Sequence, residues 1–326
     1  MQVRFPTASP SSFRALREGR GRQPVEGHGT LFLPNEAGRH PGVVICPGLS
    51  GPTTELEYRY ADWLATRGYA ALVVDSFAMR GAARWADPLR LLRVTPATML
   101  ADAYAARAFM ANLSTIEPDA ISVMGFAYGG MIAVLAAYEQ MRRLFVPRGE
   151  QRFAAHASYY GCSMPRLTEP VCTGAPVLMM VGDRDGTVSI ARSREIADDL
   201  RRGGADVQLE VLAGCHHQWD GQHAEPRQGW FSLAGCRFRV DRHGATYDEA
   251  TGRRIDSMPG YLLFLAMHVR PRRYTMLRDD RAARRTDDML LALLDRASGS
   301  RPRAAAQGAR LAAPGNDLPE PDPASL

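Results

Sequence analysis

The chain reads as an α/β protein in which helices cover both faces of a mostly parallel sheet. Three observations predict this. Short apolar runs alternate with amphipathic stretches from about residue 28, as strands and crossover helices do. Several runs, among them GVVIC (42–46), AALVVD (70–75) and PVLMMVGD (176–183), are apolar almost throughout, as strands buried on both faces must be. A glycine-rich turn, GFAYGG (125–130), joins one such run directly to an apolar helical stretch.

In order along the chain, HGTLFLP (28–34) is an early strand and GVVIC the next, followed by the turn-rich PGLSGPT (47–53). A helix is predicted from about Thr54, because Leu56, Tyr60, Trp63 and Leu64 recur on one face; Gly68 stops it. AALVVD follows as a strand. A helix from about Thr98 then places Met99, Ala103, Ala106 and Met110 on one stripe. AISVMG (120–125) runs through the glycine turn into the helix MIAVLAAYEQM (131–141). FAAHASYYG (153–161), PVLMMVGD and VQLEVLAG (207–214) complete the strands, with a helix from about Ser189 to Leu200 between the last two. After Trp219 the pattern weakens. FRVDRHGATYDEATGRRI (238–255) suggests a hairpin, and GYLLFLAMHV (260–269) and TDDMLLALLDRA (286–297) suggest helices.

The predicted organisation is an N-terminal arm over 1–24, then one domain over 25–297. Its core is 28–220, with a hairpin and helical extension over 221–297. A disordered tail is expected over 298–326, where Ala, Gly, Pro, Arg and Asp dominate.

Composition removes several chemistries. Lys and Arg together number 40, and every one is arginine. Without an ε-amino group there is no Schiff-base nucleophile, pyridoxal anchor or phosphate-loop lysine. The net charge of +5 is small and the arginines are dispersed, which argues against a nucleic-acid partner. Even the cluster Arg270, Arg272, Arg273, Arg278, Arg281, Arg284 and Arg285 is interleaved with Asp279 and Asp280 and reads as a solvated face. The 5 cysteines show neither a disulfide framework nor metal-ligand spacing, so a cytoplasmic location and no metal are expected. No stretch approaches the apolar length that crosses a bilayer, so no membrane partner is expected.

The segment VMGFAYGG carries the chemistry. Strand, Gly125, Phe126-Ala127-Tyr128, then Gly129-Gly130 and a helix match the nucleophile-elbow frame G-x-S-x-G. That frame strains its central residue so that the side chain projects above the sheet edge. The central residue here, Ala127, carries no nucleophilic atom. Further on, Asp185 lies just past the strand PVLMMVGD and His217 just past VQLEVLAG. Nucleophile position, acid and histidine therefore follow in the order used by α/β-hydrolases, each at a strand's C-terminal edge. Taken singly, Asp185 reads equally as a turn or cap residue and His217 as a packed loop histidine.

Six segments together make the chain resemble the dienelactone hydrolase family of the α/β-hydrolase superfamily over roughly residues 28–220. They are PGVVICPGLSG, GYAALVVDSFAMRG, MGFAYGG, SYYGC, PVLMMVGDRDGTV and LAGCHHQWDG. The resemblance implies an α/β-hydrolase fold and a small-molecule carboxylic ester or lactone as substrate, with no cofactor, in a monomer or homodimer. It places the triad at Ala127, Asp185 and His217, in preference to Asp183 and His216. The oxyanion donors it implies are the backbone N–H groups of Leu49 and Tyr128.

Two departures matter. Family members carry Cys or Ser at the elbow, where this chain has Ala127; its nearest ancestor would read GFSYGG. The dienelactone-cleaving members place a glutamate where this chain has Gly48, which sets dienelactone itself apart as a substrate. Three explanations of Ala127 stand open: a knock-out of a working hydrolase, a natural loss leaving a small-molecule binding protein, or a site in which His217 and Asp185 act as a general base without a nucleophile. Ser50, Ser76, Ser122 and Cys46 lie near the sheet edge or below it, but none occupies an elbow. For substrate binding, Arg80 offers a fork for a carboxylate, or is a surface arginine. Tyr160 and Trp219 line an apolar pocket, or pack in the core.

Overall fold

The computed structural model of the chain describes residues 1–146, 149 and 151–299. The expected disordered tail lies, beyond Gly299, outside the described residues. The strands in chain order are β1 (Gln2–Thr7), β2 (Val25–Phe32), β3 (His40–Cys46), β4 (Ala70–Val74), β5 (Ile116–Phe126), β6 (His156–Tyr159), β7 (Pro165–Leu167), β8 (Val177–Gly182) and β9 (Val207–Leu212). Four short ones follow: β10 (Arg227–Gly229), β11 (Phe238–Val240), β12 (Thr246–Asp248) and β13 (Tyr274–Met276).

Eight of these strands form one sheet in the order β1-β2-β4-β3-β5-β6-β8-β9. Pairing is parallel from β4 through β9, while β1 and β2 attach antiparallel at one edge. Within the parallel part the chain begins at β3, adds β4 on one side and then crosses to β5 on the other, so the order reverses at β3. In such sheets the crevice for ligands opens at the carboxyl ends of the strands beside the reversal. The loops after β3 and β5 therefore border it.

Burial on both faces explains the sequence runs. Along β3, Val44 and Cys46 join one core cluster with Leu72, Met99 and Ile132. Val43 and Ile45 join the other with Tyr60, Tyr159 and Trp219. The helix Pro96–Ala111 is capped by Thr95, whose side chain accepts from the Thr98 N–H, so it begins before the first stripe residue.

The N-terminal arm is drawn into the sheet. Val3, Phe5 and Thr7 are buried and alternate with exposed neighbours, giving β1 one apolar face to lay over the domain. The C-terminal extension is likewise integrated. β11 and β12 form the hairpin expected there, and β11 adds parallel to β7. The helix Asp280–Ser298 buries Leu290, Leu293 and Leu294 in the same cluster as Trp219. Among the described residues no helix is long and apolar enough to cross a membrane.

Candidate active site

β5 ends at Phe126, the helix Tyr128–Leu135 begins two residues later, and Ala127 between them sits at φ 48° and ψ −107°. An L-residue with a side chain is strained there by about 1–3 kcal/mol. Its neighbours enforce the conformation: the Ala127 N–H donates to the Tyr159 carbonyl at 3.0 Å, and the Ala127 carbonyl accepts from the Cys162 N–H at 2.9 Å. The glycine frame is a packing demand. A Cβ at Gly125 would lie 2.3 Å from the Gly129 carbonyl carbon, and one at Gly129 would lie 2.1 Å from the Cys46 carbonyl oxygen.

Asp185 and His217 meet. Asp185 Oδ2 lies 2.6 Å from His217 Nδ1, and the other oxygen, Oδ1, accepts the N–H groups of Thr187 at 2.8 Å and Val188 at 3.1 Å. The carboxylate thus caps its own turn and orients the imidazole at once. Asp183 instead accepts the Gly214 N–H at 2.7 Å. The imidazole is packed between aromatic rings, with the Tyr160 centroid at 4.7 Å and the Tyr274 centroid at 5.2 Å. The 160–162 loop links this histidine to the elbow, since Tyr160 packs on both His217 and Phe126 while Cys162 bonds Ala127.

The loop after β3 closes on the elbow from the other side, for a Cβ built on Gly48 would lie 3.8 Å from that of Ala127. The loop is tightened by a bond from the Gly51 N–H to the Gly48 carbonyl at 3.0 Å. Among the described residues, the N–H groups of Leu49 and Tyr128 donate to no protein acceptor.

The dienelactone hydrolase family model matches residues 28–228. The chain belongs to this family. A probable 2-oxo-3-(5-oxofuran-2-ylidene)propanoate lactonase from Bradyrhizobium is 24% identical over 196 residues, covering 57% of this chain and 76% of that protein. Esterase FrsA from Escherichia coli is 27% identical over 126 residues, 39% of this chain but only 28% of FrsA. Among solved structures, a dienelactone hydrolase-like promiscuous phosphotriesterase, P91, from metagenomic libraries has 20% identity and a TM-score of 0.48, covering 67% of this chain and 84% of its own. Thermogutta terrifontis esterase 2 has 18% identity and a TM-score of 0.48, covering 60% and 82%.

Within this family member, three residues expected to bind substrate are differently engaged. Arg80 points inward, not to the surface or a ligand. Its guanidinium forks onto Asp102 at 2.7 and 2.9 Å and also donates to Ser9 Oγ and the carbonyls of Ser76 and Ala8. All five N–H donors are used, so none remains for a substrate carboxylate. Trp219 is fully buried and donates through Nε1 to Thr286 Oγ1 at 3.3 Å. Tyr160 is equally buried; its hydroxyl donates to Asp220 Oδ1 at 2.8 Å. Both are packing residues, and Tyr160 reaches the site through its ring contacts with His217 and Phe126.

Other residues at the site carried no motif. Glu57 is 2% exposed, and burial pushes its carboxyl up to about 7. A signal was present: Glu57, Tyr60, Ala61 and Leu64 share one helical face, so a carboxylate stands on an apolar stripe. Asp220, three residues after His217, accepts the Tyr60 hydroxyl at 2.9 Å, and the same hydroxyl lies 2.8 Å from Asp287. Burial raises both carboxyls, Asp287 to about 7. Tyr274 belongs to the extension, and no pattern around it pointed to the histidine.

Proposed function

We propose that this site is built for acyl transfer from a small carboxylic ester or lactone, with residue 127 as the nucleophile position. The single observation that supports this best is the 2.6 Å contact of Asp185 with His217 in a chain whose elbow keeps its strained backbone at Ala127. In an active form a hydroxyl or thiol at position 127 attacks the acyl carbon. His217 takes the proton through Nε2 and returns it to the leaving alkoxide, and Asp185 holds the imidazole in the tautomer that exposes Nε2. The amides of Leu49 and Tyr128 bind the oxyanion. The names of two curated relatives, a lactonase and an esterase, support the same bond type. Alanine supplies no attacking atom, so the chain as it stands is nearly inert by this route.

The test compares the unaltered chain with Ala127→Ser and Ala127→Cys on short p-nitrophenyl esters and simple lactones. Turnover with a burst in either variant is the expected result. If both stay inactive while the folded protein binds such a compound, the site is a binding site and the acyl-transfer reading fails.

A second reading is favoured by an intact Asp185–His217 pair in a chain whose elbow position carries only a methyl group. Here His217 acts as general base on water or on an acidic C–H bond. Activity of the unaltered chain that vanishes in His217→Ala would establish it.

A further inference from the structure

Two buried charged side chains grip the loop after β3 from opposite directions. From the first turn of the segment Thr54–Ala65, Glu57 Oε1 accepts the Gly48 N–H at 3.2 Å and Oε2 accepts the Thr53 N–H at 2.9 Å. The carboxylate therefore ties the two ends of the loop together. From the helix Asp87–Arg93, Arg90 Nη1 donates to the Leu49 carbonyl at 2.6 Å, while Nε and Nη2 anchor on the carbonyls of Trp85 and Ala83. The side chain of Arg90 is 10% exposed, and its guanidinium lies over the Phe77 ring.

The peptides on either side of the Gly48–Leu49 peptide are thus held, one at the Gly48 N–H and the other at the Leu49 C=O, and the Gly48 C=O between them accepts from the Gly51 N–H. Fixing these groups fixes the direction of the intervening Leu49 N–H, which has no protein acceptor among the described residues.

We infer that Glu57 and Arg90 are positioning residues for an oxyanion hole, setting the Leu49 amide toward the elbow. This rests on the acyl-transfer reading. A carboxylate suits the Glu57 position because both its oxygens accept. An amide has one oxygen and one NH2, so Glu57→Gln must abandon either Gly48 or Thr53. A guanidinium suits position 90 because three carbonyls in fixed directions need a planar fork, which Arg90→Lys lacks.

The test has two arms. In the Ala127→Ser protein, Glu57→Gln and Arg90→Lys should each lower kcat by roughly tenfold to a hundredfold with little change in KM, because a misaimed oxyanion donor weakens the transition state alone. The double variant should lose less than the product of the two, since both act on one peptide. In the otherwise unaltered chain, Glu57→Gln should speed amide hydrogen exchange across residues 48–53 by about tenfold or more, with the sheet unchanged. If kcat is retained in folded single variants, or exchange in this loop is unaltered, the inference is overturned. Should Ala127→Ser show no turnover on any substrate, acyl transfer fails and the exchange arm alone judges the clamp. Should Glu57→Gln fail to fold, the same two readouts on Arg90→Lys decide.

Discussion

The phenol ring of Tyr274 stands edge-on to the imidazole of His217, with 5.2 Å between centroids and 84° between planes. Tyr274 lies some sixty residues further along the chain, in the extension. The backbone beside it completes the hold: the His217 N–H donates to the Thr275 carbonyl at 3.2 Å, and the Leu277 N–H donates to the His217 carbonyl at 3.3 Å. Gly229 leaves room for the ring, since a Cβ there would fall 2.2 Å from it. The extension therefore forms one wall of the histidine's seat.

Removing that wall should show in kinetics. In the Ala127→Ser protein, Tyr274→Ala is expected to lower kcat by about tenfold as the imidazole gains freedom to tilt, while Tyr274→Phe keeps most of the activity. Equal activity in all three proteins would mean that the Asp185 contact suffices to aim the ring.

Ala127→Gly should stabilise the protein. Relief of positive-φ strain is worth about 1–3 kcal/mol, against roughly 0.5–1 kcal/mol for the extra freedom of glycine in the unfolded chain. The strain term wins, so Tm rises by up to a few degrees. A fall in Tm on calorimetry would show that the elbow conformation at Ala127 is unstrained.

The two oxygens of Asp185 have separable duties. Asp185→Asn keeps an acceptor for the turn but disturbs the histidine tautomer, so in the Ala127→Ser protein kcat should fall by about 10³–10⁴ with little loss of stability. Asp185→Ala should in addition lose about 1–2 kcal/mol in urea unfolding through the missing cap. Identical stabilities for the two variants would contradict this division.

The Arg80–Asp102 pair is structural, with side chains 7% and 0% exposed. Asp102→Ala leaves a buried guanidinium without its counter-ion and should cost about 3–5 kcal/mol. Denaturant titration measures this directly. A loss under about 1 kcal/mol, the range of exposed pairs, would place Arg80 in contact with water.

Stability should fall between pH 4 and 8 through the buried carboxyl of Asp287. Burial raises Asp287 from 3.8 to about 7. Across that window the folded state holds protons that the unfolded chain releases, so the stabilisation is complete below about 4 and is lost as pH rises through about 7. Tyr60, Asp220, Arg59 and Asp288 face Asp287. Asp287→Asn should flatten the profile of Tm against pH and be the more stable protein above pH 7. An unchanged slope would mean that Asp287 is ionised throughout.

The strands and the glycine frame of the turn at 125–130 were legible because local demands write themselves into local patterns. Strands buried on both faces must be apolar throughout, as GVVIC and AALVV are, and the elbow must have glycine wherever backbone meets backbone, as at Gly125 and Gly129. The order of Ala127, Asp185 and His217 follows from the same logic, since each must sit where a strand ends. The partners of long side chains were not legible. Whether Arg80 meets a ligand or Asp102, and whether Tyr160 and Trp219 line a pocket or fill a core, depends on which helix is packed against the sheet at that point. Sequence spacing carries no such distance. In the same way, the chain by itself determined an elbow, an acid and a histidine, and the absence of a nucleophilic atom at position 127. Only the tertiary structure decided that Tyr274 seats the histidine and that Glu57 and Arg90 grip the loop after β3, because those contacts join segments that are separated along the chain and meet only when the sheet is wound.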